Sequence, residues 1–222
     1  MRHDHPTSTF RRIAGVTAAA LLALPLAACS NDDSSSDGSS GDKPKPVAAV
    51  DNLSGQSTAV ALDTGFVKAL TTLKLTPGVV GDATLAKGAV SFPITGGDVT
   101  YYKPGSISPY VTGTIDHDGS GLSLTAGSTE VDLTNFVVNP GTSRVMGDVS
   151  VNGKTAAEGA TIFNLDGRTL KPLQTQGNNA ILEGTKVQIS ADAAALLNKT
   201  FNTDAVQQGL LVGIATITIA TS

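Results

Sequence analysis

Across 222 residues the chain is 40% hydrophobic but only 15% charged and 4% aromatic, with 24 Gly and no Trp. Small side chains in that proportion suit a β-rich globular domain and exclude a coiled coil. The formal charge of −4 argues against nucleic acid as a partner, because neutralising phosphates needs clustered Lys and Arg.

Taken in order, the chain opens with Arg2, Arg11 and Arg12, followed by an apolar run over residues 13–26 and the sequence Leu26-Ala27-Ala28-Cys29. A basic start, a short apolar centre and small residues before a cut make a secretory signal peptide, residues 1–28. The run is too short to span a bilayer, which takes about 20 residues, and Pro25 interrupts its last turn. Cys29 is the one cysteine in the chain, so no internal disulfide and no Cys-based zinc site can form. Leu26-Ala27-Ala28-Cys29 resembles the lipobox of bacterial lipoproteins. That resemblance implies cleavage after Ala28, diacylglyceryl transfer to the Cys29 thiol, and a lipid-anchored protein on the extracytoplasmic face of the cell membrane. Once residues 1–28 leave, Lys and Arg fall from 15 to 12 and Asp and Glu from 19 to 18, so the remaining chain is more acidic still.

Residues 29–46 follow Cys29 with Ser, Gly and Asp and without a single large apolar side chain. Such a segment cannot bury a core and reads as a flexible linker that holds the domain clear of the membrane. Its aspartates, Asp32, Asp33, Asp37 and Asp42, lack the glycine-turned loop and closing Glu of a calcium site.

Residues 47–222 are long enough for a single β-rich domain. Residues 59–62 read as a strand, Asp63 as a helix cap, and Phe66, Val67, Leu70 and Leu73 as the apolar stripe of a short helix that Pro77-Gly78 ends. Residues 89–94 and 99–102 alternate as strands, with Pro93 marking an edge or bulge and Gly96-Gly97 a turn. Residues 111–173 then carry apolar-alternating segments closed by Asp118-Gly119, Asn139-Pro140-Gly141, Asn152-Gly153 and Asp166-Gly167. Asn-Gly and Asp-Gly supply the positive φ angles of tight hairpins, which predicts an antiparallel meander. The segments around residues 58–62, 63, 69–70 and 90–92 reappear, ungapped, 127 positions later, with Ser190 in place of Asp63. The fold expected is mostly β: an antiparallel meander closed into a sandwich or barrel by two units that each bear a short helix, with residues 210–219 as a buried closing strand.

Chemistry is sparse. His3 and His5 leave with the signal peptide, so His117 is the one histidine of the mature chain. A multi-histidine zinc site is thereby excluded, no metal is expected, and neither a G-x-S-x-G elbow nor a Walker loop is present. The domain therefore reads as non-enzymatic, with no catalytic residue. Strand parity puts His117 on the face of Ile115, opposite Asp116 and Asp118. There it is either a ligand contact or a half-buried histidine tied to a backbone carbonyl. Tyr101, Tyr102 and Tyr110, the chain's three tyrosines, gather around a Pro-rich loop and either line a site or cover a sheet edge. His117, Tyr101, Tyr102 and Tyr110 are the candidate ligand-binding residues.

Phe92-Pro-Ile-Thr-Gly-Gly97, Gly113-Thr-Ile-Asp-His117 and Leu122-Ser-Leu124 resemble secreted and lipid-anchored actinobacterial β-proteins and, distantly, the HtaA domains of haem uptake, over residues 59–151. The resemblance implies a β-rich fold, haem as a ligand, a Tyr as its holder a few residues after a Phe near the domain start, and His117 as a supporting residue. Here Phe66 is followed by Ala69 and Leu70 and by no Tyr. The leading expectation is an envelope protein that binds a ligand or another cell-surface component, without a resident cofactor; the alternative is an HtaA-like haem or small-molecule carrier.

Overall fold

Residues 43–221 are described by a computed structural model. The signal peptide, the lipobox residues, Cys29 and the linker up to residue 42 lie outside them. In chain order the elements are β1 (Pro46–Val50), β2 (Gln56–Leu62), α1 (Thr64–Thr72), β3 (Thr76–Val80), β4 (Thr84–Ala86), β5 (Ala89–Pro93), β6 (Gly96–Tyr102) and β7 (Val111–Ala126). There follow β8 (Thr129–Asn139), β9 (Arg144–Val151), β10 (Lys154–Asp166), a 3-10 turn (Gly167–Thr169), β11 (Gln174–Gln176), β12 (Asn179–Ile189), α2 (Ala191–Phe201) and β13 (Leu211–Ala220).

All strand pairs are antiparallel and belong to one sheet of order β1-β6-β7-β8-β9-β10-β12-β13-β2-β5-β4, with β3 added on β7 and β11 on β12. The meander predicted from alternation is β7 to β10, each strand beside the next. Two of its turns form as expected. Asn152 and Gly153, at φ +51° and +74°, close a two-residue hairpin between Val151 and Lys154, and Asn139-Pro140-Gly141 opens the β8–β9 connection.

The other two dipeptides do different work. Strand β7 runs straight past Asp118-Gly119 and reverses only after Ala126, which pairs with Thr129. Gly119, at φ +72°, lies in a bulge between His117 and Gly121. A bulge and a tight hairpin ask for the same positive φ, so one dipeptide serves either. Asp166-Gly167 ends β10 in the 3-10 turn, and the chain forms β11 before β12 pairs back onto β10.

The bulge in β7 is one of a row. Register also shifts between Thr134 and Val137 on β8 and between Ala157 and Ala160 on β10. Asn135 and Gly159 in those bulges hold φ +53° and +57°. Polar bonds tie one bulge to the next. Gly119 N donates to Asn135 Oδ1 (2.9 Å), Asn135 Nδ2 to Asp148 Oδ2 (2.9 Å) and Gly159 N to Asp148 Oδ1 (2.9 Å). These bonds to Asn135 and Gly159 hold the Asp148 carboxyl below its ordinary value. Aligned bulges bend every strand they cross, and here they crease the meander.

The bent sheet folds over itself as a sandwich does, rather than closing into a barrel, since β1 and β4 remain the ends of the strand order. Across the fold the end of β5 meets β7, where Pro93 O lies 2.7 Å from the His117 ring. Pro77-Gly78, expected to end the first helical unit, lies inside β3, which borders the second half of β7 while β6 borders its first half. Gly96-Gly97, expected as a turn, is likewise the start of β6.

Both helices begin at their predicted caps. The Asp63 carboxylate accepts from Gly65 N and Phe66 N, and Ser190 Oγ accepts from Ala193 N (3.0 Å) while donating to Thr161 O (2.6 Å). Leu70 is buried, with Phe66 and Leu73 packed against the core, but Val67 is 45% exposed and off the stripe. The two units spaced by 127 residues thus share strand, cap and helix, yet not register: Thr58 faces Phe92, whereas Thr185 faces Ala215. The closing strand is β13, held between β12 and β2.

Candidate functional site

Strand β7 delivers His117 to the interior. Alternation sends Ile115 and His117 inward, each 1% exposed, while Asp118 faces solvent. The His117 ring meets β5, where Nδ1 lies 2.7 Å from Pro93 O. A carbonyl only accepts, so Nδ1 carries the proton and Nε2 presents a lone pair. Nε2 is buried and has no partner among the described residues. Burial pushes the His117 pKa below its ordinary value and outweighs the bond to Pro93 and the charges of Asp116 and Asp118, which raise it. The ring is a neutral acceptor.

A second buried polar atom without a partner among the described residues is Thr58 Oγ1, on a residue 5% exposed. Both residues line one cavity of about 320 Å³, within the span of about 300–1,000 Å³ common for small-molecule sites. Its walls are apolar side chains of both layers, among them Val60, Val90, Val138, Phe163, Leu182 and Val187. Phe92 stands between the two polar atoms: it pairs across the strands with Thr58, and its ring centroid is 6.1 Å from that of His117. Phe136 meets Phe92 edge-on at 5.3 Å and leans on Phe163 at 5.9 Å. Exposed residues of three connections, Ser108, Pro109, Ser143 and Arg168, form the rim. Arg168 is engaged there by Asp166, Nη2 to Oδ2 at 2.8 Å. Phe66, Leu70 and Leu73 of α1 and Leu197 of α2 meet Leu122, Leu124 and Leu133 around a second void of about 50 Å³, which shares Leu122 and Phe163 with the first.

Of the four candidate residues, His117 and Tyr110 line the same cavity. Tyr101 is buried behind Tyr110, their rings perpendicular at 5.8 Å, and stays off the cavity wall. Burial, and after it Tyr101, push the Tyr110 phenol above its ordinary value, so it keeps its proton. Tyr102, next along β6, takes the other face and is not part of the lining. The sequence reading missed Thr58, Phe92 and Phe136. Thr58 carried a signal, as a polar residue in step with Val60 on the inner face of β2.

The chain matches no protein-family model and no curated protein. Among solved structures, the C-terminal domain of HtaA from Corynebacterium glutamicum superposes with a TM-score of 0.51 at 15% identity, covering 76% of this chain and 98% of that domain. The chain has the HtaA fold. A domain-swapped dimer variant of the same HtaA domain gives a TM-score of 0.45 at 15% identity over 71% of this chain and 91% of that one. The heme binding protein HtaB from the same organism gives 0.43 at 10% identity over 78% and 96%. The segment where the HtaA resemblance implies a Tyr after Phe66 is α1, and Thr64–Thr72 contains none. The tyrosine that lines the cavity of this HtaA-like fold, among the described residues, is Tyr110.

Proposed function

We propose that the chain is a lipid-anchored, non-enzymatic binding module of the cell envelope that carries a small, mainly apolar molecule in the cavity beside His117. The observation that supports it is the coincidence of an apolar cavity of about 320 Å³ with a buried imidazole whose Nε2 has no partner among the described residues. Tying one ring nitrogen to a backbone carbonyl fixes the tautomer and aims the other at a ligand, as in many histidine sites. Anchoring rests on the lipobox-like residues Leu26, Ala27 and Ala28 before Cys29; a diacyl chain pair suffices for stable attachment. Cys29→Ala is expected to move the protein from the membrane fraction to the medium. Retention of the variant on membranes would remove the anchor.

Haem is the specific ligand that the sequence resemblance and the shared HtaA fold bring forward. The residues present fit it in part. His117 Nε2 has the free lone pair an iron takes, the walls are apolar, and Tyr110 lines the same space. Arg168 stands at the rim, where carboxylates would emerge. A haem held there would supply the iron; the chain's own part is to hold Nδ1–H on Pro93 O and to exclude water. Titration of the purified protein with haemin is expected to shift the Soret band at one equivalent, with the shift lost in His117→Ala. An unshifted band, or one that His117→Ala leaves unchanged, removes haem and leaves other ligands of the cavity to be sought by native mass spectrometry.

A further inference from the structure

The cavity beside His117 and the smaller void share a wall. Leu62, Val90, Leu122 and Phe163 line both, so one layer of side chains parts the space of about 320 Å³ from that of about 50 Å³. Order along the strands sets one beyond the other. On β7, Val111 and His117 line the first alone, Leu122 both, and Leu124 the second alone. On β8 Phe136 and Val138 line the first and Leu133 the second; on β12 Val187 lines the first and Ile189 the second. Strand β10 and the turn after it continue that order outward. Phe163 stands in the shared wall, Leu165 lines the first space, and Arg168 is at its exposed rim.

Polarity falls along the same line. Ser108, Ser143 and Arg168 stand at the rim and Thr58 and His117 line the first space, whereas every side chain around the second is apolar. A buried water needs two or more polar partners, so the second space suits hydrocarbon and not solvent. Close-packed interiors keep few voids larger than a water, and two in line favour a long, narrow occupant. We propose that the two voids are chambers of one channel for a lipid with a single straight alkyl or acyl chain. Its polar end stays at the rim or in the first chamber. Its chain passes the shared wall, where a rotamer change of the partly buried Leu62 or Leu122 opens the way, and ends among Phe66 of α1 and Leu197 of α2. This rests on the reading of the cavity as a ligand site and names the shape and class of its occupant.

The test is a chain-length series. Monoacylglycerols from octanoyl to octadecanoyl compete on the purified protein with a fluorescent naphthylamine probe, which brightens in apolar surroundings. Affinity is expected to climb about fourfold per added methylene, the gain from burying one, until the chain end fills the second chamber. Ala69→Leu fills that chamber and Leu73→Ala enlarges it; neither residue lines the first. The length at which the climb stops is expected to drop by about two carbons in Ala69→Leu and to rise by about two in Leu73→Ala, while octanoylglycerol binds all three proteins alike. Should Leu73→Ala fail to fold, Ala69→Leu carries the comparison alone. One ceiling common to wild type and variants overturns the channel and leaves the first cavity standing as a ligand site. A probe that never enters overturns both. Haemin that displaces the probe from a protein on which no monoacylglycerol competes decides for haem and against the channel.

Discussion

Phe136→Ala is expected to lower the free energy of unfolding by about 3–5 kcal/mol, the range for emptying a buried phenylalanine site. Phe136 is 3% exposed and holds the interior together from β8, edge-on to Phe92 of β5 and leaning on Phe163 of β10. The contact with Phe92 crosses between strands far apart in the strand order, β8 and β5, so the truncation loosens the join between them as well as the wall. Each such pair adds about 0.5–1.5 kcal/mol beyond area burial. The new void opens into the existing cavity, which leaves neighbouring side chains little to collapse upon. A urea melt reads the result as a lower midpoint at unchanged slope. A loss below about 1 kcal/mol would show that the Phe92–Phe136–Phe163 row does not bear on stability.

The second large effect is a loss of stability under mild acid. Burial lowers the His117 pKa from its ordinary 6.5, against the raising influence of the Pro93 bond, Asp116 and Asp118. In the unfolded chain the ring titrates near 6.5 and binds a proton before the folded protein does. The contribution of His117 is therefore fully present above about pH 6.5 and is lost as pH falls from there toward the lowered folded-state value. The slope for one group is at most about 1.4 kcal/mol per pH unit. Asp148 and Asp166 are shifted downward from 3.8, so their contributions are lost only below that value and do not overlap this window. Melting temperature measured from pH 7.5 to 5 is expected to fall in the wild type and to stay nearly level in His117→Gln, which keeps a donor for Pro93 O. A wild-type curve as flat as the variant's would mean that the ring takes up its proton in the fold as readily as in the unfolded chain, contrary to the neutral acceptor role assigned to Nε2.

The parts of the fold that follow from near neighbours were legible in the residues. Alternation gave the meander, Asn152-Gly153 gave its hairpin, and Asp63 and Ser190 marked both helix starts. Parity also put His117 on the face of Ile115, which the fold turns inward. What failed was the reading of Asp118-Gly119 and Asp166-Gly167 as hairpins, because positive φ is a local demand with several structural answers. Pro77-Gly78 failed for a related reason: a proline is compatible with a border strand such as β3, whose partner on β7 lies some forty-five residues on. The site was only half legible. His117 meets a carbonyl 24 residues earlier, and Thr58 faces the cavity only because the folded sheet brings β2, β5 and β7 together. No local pattern encodes that curvature.

The crease through β7, β8 and β10 has one more consequence. It is held by Asn135, Asp148 and the backbone of Gly119 and Gly159, groups that take no part in lining the cavity. The bulges are thus tied to one another by exposed groups, away from the cavity. In most small proteins the filling dictates the shape, so a hollow interior would slump. Here the casing is stiffened by its own seam, and what it encloses is free to be a passenger rather than a pillar.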